Sequence, residues 1–178
     1  MFQPGRPPSK PVSAARLSAL LDRFEVILDL NMPGLELRGL QIADRSFYGC
    51  NFTRSAFRGC TIRNCLFELC FFDFSTHAEA TYADLNLKNC VFACSVFDQV
   101  QFTGSNVIQC NFNGISGSRL VLDDCDLLHS RFNGAPEIDL EITNCNVKET
   151  RFIGTPLDRL KFRYANQEDA VFENRESW

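Results

Sequence analysis

The chain has 178 residues, a 45% hydrophobic content and a formal net charge of −4 from 18 basic and 22 acidic residues. That length suits one domain. The balance lacks the basic surplus of a nucleic-acid binder, and no apolar run is long enough to cross a membrane.

Residues 1–12 are Pro-rich and read as a disordered tail. Ser13 is a candidate N-cap for a short helix, with Leu17, Leu20, Leu21 and Phe24 on one apolar face. Residues 13–34 are therefore expected to be a capping helix and a turn at Pro33-Gly34, covering the open N-terminal end of the region 35–174. A helix that docks a partner is the competing use.

From Leu37 onward every fifth residue is apolar: Ile42, Phe47, Phe52, Phe57, Ile62, Phe67 and so on to Phe172, with Leu157 among them. Only His77, Gly117, Glu137 and Gln167 depart. Two residues ahead of each runs a second series of small or apolar residues, from Leu35 to Ala170, broken only by Arg45. Neither a helix nor an alternating strand has period five, so this is a repeat architecture. A second period of twenty is visible in the Phe52, Phe72, Phe92, Phe112, Phe132, Phe152 and Phe172 column, with Cys50, Cys70, Cys90 and Cys110 just ahead of it. Stacked coils of twenty residues would bury what no coil can bury alone.

Segments such as Cys50-Asn51-Phe52, Ala83-Asp84-Leu85 and Cys110-Asn111-Phe112 resemble the pentapeptide-repeat family, whose unit is A(D/N)LXX. The resemblance implies an all-β solenoid, a right-handed quadrilateral β-helix of about seven coils over residues 35–174, with residues 175–178 as the C-terminal end. It also implies a protein-binding scaffold with no catalytic, cofactor or metal site. Within the family some members mimic DNA, bind gyrase or topoisomerase IV and protect against fluoroquinolones. Others are targeting domains of bacterial effectors. For this chain the resemblance leaves the partner's identity open, with a type II topoisomerase as one candidate and a homodimer through the C-terminal end as another.

The residues themselves carry three further expectations. Eight of the nine cysteines occupy the small inward position, and Cys94 alone does not. They read as reduced core residues in a cytoplasmic protein. Outward positions of the repeat should be polar, yet Leu66, Leu69, Phe71, Phe74 and Val91 are apolar and cluster on adjoining coils, bordered by Asp73 and Glu79. Such a patch marks a docking site for a protein or a second copy, unless the N-terminal segment covers it. Residues 68–126 hold eight acids, Glu68, Asp73, Glu79, Asp84, Asp98, Asp123, Asp124 and Asp126, against two bases, which makes a candidate acidic face.

One side of the coil is expected to loosen after residue 72, starting at His77 and continuing through Gly117 and Glu137, with Glu137 turned outward. Catalytic patterns are missing from the sequence. His77 reads as a core histidine, His129 as a solvated one, and Asp123-Asp124-Cys125-Asp126 lacks calcium-loop spacing.

Overall fold

A computed structural model describes residues 13–172. The expected tail at 1–12 and the C-terminal residues 173–178, with Trp178, lie outside the described residues.

The chain is a parallel β-solenoid of about seven turns preceded by one short helix. Each turn has four sides. Side A is a five-stranded sheet from Val26–Leu28 to Asn106–Ile108, continued by single bridges through Asp126, Asn146 and Asn166. Side B, among the described residues, has no strands and only a row of bridges from Asn31 to Val171. Side C is a four-stranded sheet from Glu36–Arg38 to Val96–Asp98. Side D is a seven-stranded sheet from Gln41–Ala43 to Leu160–Arg163. Partners are parallel and twenty residues apart, as in Phe47↔Phe67 and Leu120↔Leu140.

The corners explain the period. From Asp29 to Gly114 every fifth residue has a left-handed backbone, which turns the chain through each corner. Gly, Asn and Asp adopt this conformation at least cost, and corners such as Gly34, Asp44, Gly59 and Asn64 follow that preference.

The inward residues stack. Phe52, Phe72, Phe92 and Phe112 lie ring over ring at centroid spacings of 4.9, 4.6 and 4.7 Å, and the column continues to Phe172. The residues just ahead are donors to the coil before. Cys50, Cys70 and Cys90 point their thiols at the carbonyls of Ile27, Phe47 and Phe67, at 3.7, 3.5 and 3.3 Å. Ser130 and Thr150 make the same bond to Val107 and Leu127 at 2.6 and 2.8 Å. All nine cysteines are free and only Cys94 is exposed. Hydrogen bonding to the Cys70 thiol, then burial, pushes Cys50 far above the usual thiol range.

The solenoid begins earlier than residue 35. Val26–Leu28 pairs with Ser46–Tyr48, and Ile27 and Met32 are core residues. The five-residue register runs back through both, so Pro33-Gly34 forms a corner within a coil and not an entry turn. Helix Ala14–Leu21 is capped by Ser13, which accepts from the Arg16 N–H at 3.3 Å. Leu17 and Leu21 join the same core as Ile27 and Met32. Phe24, expected on the apolar helix face, is exposed because the helix stops at Leu21. Arg45, the break in the small series, donates from Nε and Nη2 to the Leu21 carbonyl at 3.0 and 2.8 Å. A cation there satisfies an orphan carbonyl at the helix C-terminus and complements the helix dipole.

Side C is regular at His77, contrary to the sequence expectation. His77 lies in strand Thr76–Ala78, stacked between Phe57 and Phe97. The disruption starts at Gly117, where φ is +133° and a Cβ would collide with the Phe97 backbone. Glu137 is exposed and Ile138 takes the inward place, fully buried. Leu157, expected inward, is exposed in the short 3-10 turn Leu157–Arg159. Pro136 and Pro156 cannot donate to a ladder on this side. Register returns at Leu120, Leu140 and Leu160 because the loops keep the twenty-residue length.

Candidate protein-docking face

The outward apolar residues wrap around side B. Leu69 stands at the corner between sides A and B, Phe71 in the middle of side B, and Phe74 at the corner between B and C. They are 56%, 46% and 56% exposed. Val91 is the bridge partner of Phe71 on the next coil. Leu66 lies on side A in strand Leu66–Glu68 and is half-buried. The structure therefore joins Phe71 to Val91 and sets Leu69 and Phe74 on either flank, while Leu66 sits around the corner.

Two of these residues are unfavourable twice over. Leu69 and Phe74 have φ of +55° and +56°. A left-handed backbone costs a side chain with a Cβ about 1–2 kcal/mol relative to the right-handed form. Their side chains bury too little to offset this. The left-handed backbone is common to the corners of the solenoid, so what sets these two apart is a bulky apolar side chain left exposed there.

Charges around the ridge are few. The Arg54 guanidinium lies 5.6 Å from the Phe74 ring centroid, a cation–π contact. Asp73 sits between Phe71 and Phe74, and partial burial raises its carboxyl above the usual range. Glu79 does not border the ridge. It occupies the corner between sides C and D, a full side away from Phe74.

The eight acids of the middle coils do not share one face. Glu68 and Asp126 are on side A, Asp73 on side B, Asp98 on side C, Asp123 on side D, and Glu79, Asp84 and Asp124 at corners. Several have structural partners. Asp98 accepts from the Ser118 N–H at 2.9 Å, Asp123 from Asn144 at 3.0 Å, and Asp126 from Asn146 at 2.9 Å.

A serine–histidine pair does exist, inside the core. His77 Nε2 is 2.7 Å from Ser75 Oγ and Nδ1 is 2.6 Å from the Tyr82 hydroxyl. Among the described residues the Tyr82 hydroxyl has only this partner, so its proton goes to Nδ1. Nε2–H then donates to Ser75, whose own proton reaches the Phe72 carbonyl at 2.6 Å. Every group is satisfied and all three residues are buried. Burial lowers the His77 pKa to about 3, which keeps the ring neutral. The adjoining cavity is about 20 Å³ and lined by apolar and aromatic side chains beside His77, too small for a substrate. His129 pairs with Glu149 at 3.0 Å on the surface. Among the described residues no cluster of His, Cys, Asp or Glu could hold a metal ion, and no helix is long and apolar enough to cross a membrane.

Sequence reasoning missed a second set of exposed apolar residues, Phe24, Val26 and Leu28. Running the five-residue register back to Ile27 would have placed Val26 and Leu28 outward.

The family model for pentapeptide repeats matches in eight copies over residues 83–116. Among solved structures, two trypsin-treated forms of QnrB1, a plasmid-mediated fluoroquinolone resistance protein, share this fold. One has 14% identity and a TM-score of 0.57, covering 84% of each chain. The other has 16% identity and a TM-score of 0.54, covering 84% of this chain and 82% of that one. At such identities the likeness is one of fold. No curated protein sequence matches. The matched pentapeptide repeats lie inside coils whose inward register continues on both sides, from Ile27 to Phe172.

Proposed function

We propose that this protein is a non-catalytic scaffold that docks a protein partner on the Leu69–Phe71–Phe74 ridge, with Leu66 and Val91 contributing. One observation carries the reading: at two corners whose left-handed backbone the fold imposes, and which Gly, Asn or Asp fill at least cost, the chain instead exposes bulky apolar side chains. Aromatic anchors commonly dominate the energy of a contact. Phe71→Asp should abolish capture of the partner and leave the melting temperature nearly unchanged, since Phe71 is already half exposed. Partner binding retained alongside a large drop in melting temperature would overturn the reading. It would point instead to a ridge covered by the protein's own N-terminal residues. The eight buried thiols favour a reducing, cytoplasmic setting for this work.

A second reading is DNA mimicry directed at gyrase or topoisomerase IV. The eight acids against two bases in residues 68–126 favour it, as does the fold shared with QnrB1. A supercoiling assay with and without a fluoroquinolone tests it. Absence of any effect at micromolar protein removes it.

A further inference from the structure

We infer that His77 is a positioning residue for the docking ridge: through Ser75 it locks the turn Phe72–Ser75, which presents Asp73 and Phe74 to the partner. The inference rests on the docking reading and adds to it a residue buried out of the partner's reach.

The small inward residues where side B enters side C follow one rule, and Ser75 breaks it. Ser55, Ser95 and Thr155 each donate a hydroxyl to the carbonyl twenty-three residues earlier, in the coil before: Met32, Phe72 and Phe132. By that rule Ser75 would reach Phe52. Its hydroxyl turns instead to the Phe72 carbonyl of its own coil, at 2.6 Å. The Ser75 N–H already meets that carbonyl at 3.2 Å. The turn that carries Asp73 and Phe74 is thus closed twice, by backbone and by side chain. The matching turns at Ser55 and Ser95 are closed by their backbone N–H at 3.1 and 3.2 Å, while their hydroxyls go to the coil before.

His77 causes the difference. Its Nε2–H donates to Ser75 Oγ at 2.7 Å, and the Tyr82 hydroxyl, donating to Nδ1 at 2.6 Å, keeps the ring in that tautomer. With a donor on its inner side, the Ser75 hydroxyl sends its own proton the other way, to Phe72. The residues at the same offset from Ser55 and Ser95 are Phe57 and Phe97, whose rings donate nothing.

Packing does not ask for a histidine here. The ring stacks between Phe57 and Phe97 at centroid distances of 4.9 and 4.7 Å, in a column that a Phe would continue. A cavity of about 20 Å³ beside it leaves room for the larger ring. Burying an imidazole and a tyrosine hydroxyl is justified only by the bonds they make. Both belong to the coil whose outside carries Leu69, Phe71 and Phe74, so the inward and outward exceptions coincide. A corner already held in one geometry loses less conformational freedom when a partner covers it.

The first test needs neither a variant nor a partner. Nitrogen chemical shifts of the His77 imidazole in the full chain should show a bare Nδ1 and a protonated Nε2. The opposite tautomer would make Ser75 the donor to His77, release the Phe72 carbonyl and overturn the inference. The second test uses His77→Phe with Tyr82→Phe, which orphans no hydroxyl, at about pH 8, where an unfolded His is also neutral. Circular dichroism verifies the fold. Amide hydrogen exchange should be about tenfold faster at Ser75, as for loss of one hydrogen bond, and unchanged at Ser55 and Ser95. Adding Ser75→Ala should not speed it further, because the hydroxyl has already left the turn. No change at Ser75, an equal change at all three serines, or an additive effect of Ser75→Ala overturns the inference. Against a protein captured by the parent chain and lost by Phe71→Asp, the His77/Tyr82 variant should bind about tenfold weaker, while its melting temperature stays near the parent's. Undiminished affinity overturns the positioning role and leaves the docking reading standing. If Phe71→Asp loses no captured protein, the docking reading fails, and the locked turn serves the fold alone, whatever the tautomer and exchange results.

Discussion

The first half of the rod and the second half solve the same folding problem with different surfaces. In the N-terminal coils the core is aromatic: Phe47, Phe52, Phe57, Phe67, Phe72, His77, Phe92 and Phe97 stack within a few ångströms of one another. All four sides are regular, yet the outside carries Val26, Leu28, Leu69, Phe71 and Phe74. One ion pair, Arg38–Glu36 at 3.8 Å, lies there among the described residues. In the C-terminal coils the core is largely aliphatic, with Leu120, Leu122, Leu127, Ile138, Leu140, Ile142 and Val147. Side C is broken, and the outside is laced with pairs between coils: Arg119–Glu141, Lys161–Glu141, Arg159–Asp139, His129–Glu149 and Lys148–Asp169. Regularity and surface polarity are therefore independent in this fold. The more regular half wears the surface suited to being covered, and the less regular half the one suited to water.

The junction gives the largest expected effect. Phe112 is fully buried and stacks on Phe92 below and Phe132 above. Phe112→Ala should cost about 3–5 kcal/mol in urea unfolding, as loss of a large core side chain does. If each half carried its own stability, the variant would unfold in two steps, and the comparison would become one between separate folding units.

Acid should act on the N-terminal half. His77 is fully buried and neutral, with a pKa lowered to about 3. In the unfolded chain an ordinary His titrates near 6.5, so below that pH the unfolded state binds the extra proton. Stability is then complete above about pH 6.5 and declines as pH falls toward 3. Between pH 7 and pH 5 the loss is about 2 kcal/mol. His77→Phe with Tyr82→Phe removes the ring and the hydroxyl that donates to it, while Ser75 keeps its backbone N–H bond to the Phe72 carbonyl. That variant should lose this pH dependence in thermal melts across the same range.

A smaller effect of opposite sign tests whether the apolar ridge is a burden on the fold. Leu69→Asn places a residue tolerant of the left-handed backbone at this corner. It should raise stability by roughly 1 kcal/mol while weakening partner capture. Stabilisation without loss of capture would detach the ridge from function.

The surface pairs of the C-terminal half should matter least. Glu141 accepts from Arg119 at 2.6 Å and from Lys161 at 3.4 Å, and the Arg119 hydrogen bond holds its carboxyl below the usual range. All three groups are solvent-exposed in part. Glu141→Gln should cost less than about 1 kcal/mol, and less still in high salt. A larger loss would mean that these pairs hold together the half whose side C is broken.

The repeat, the four-sided coil, the inward columns and the burial of eight cysteines were legible in the order of amino acids alone. The reason is that each inward slot recurs at a fixed spacing of five and twenty, so one register specifies every coil. That register also marked Leu69, Phe71 and Phe74 as misfits, because an outward position is known once the register is. Contacts between coils became visible only in three dimensions. Arg45 looked like a break in the series until the helix end at Leu21 was placed above it. His77 looked like the start of an irregular side, yet Ser75 and Tyr82 satisfy both ring nitrogens and the strand stays regular. The spread of the acids over four sides, the inward place of Ile138 and the outward one of Leu157 likewise come from how the chain turns its corners. A one-dimensional period fixes which residues face in. It does not fix which outward residues become neighbours, because that depends on twenty-residue stacking, on local turns at Gly117 and Pro156, and on partners far away in the chain.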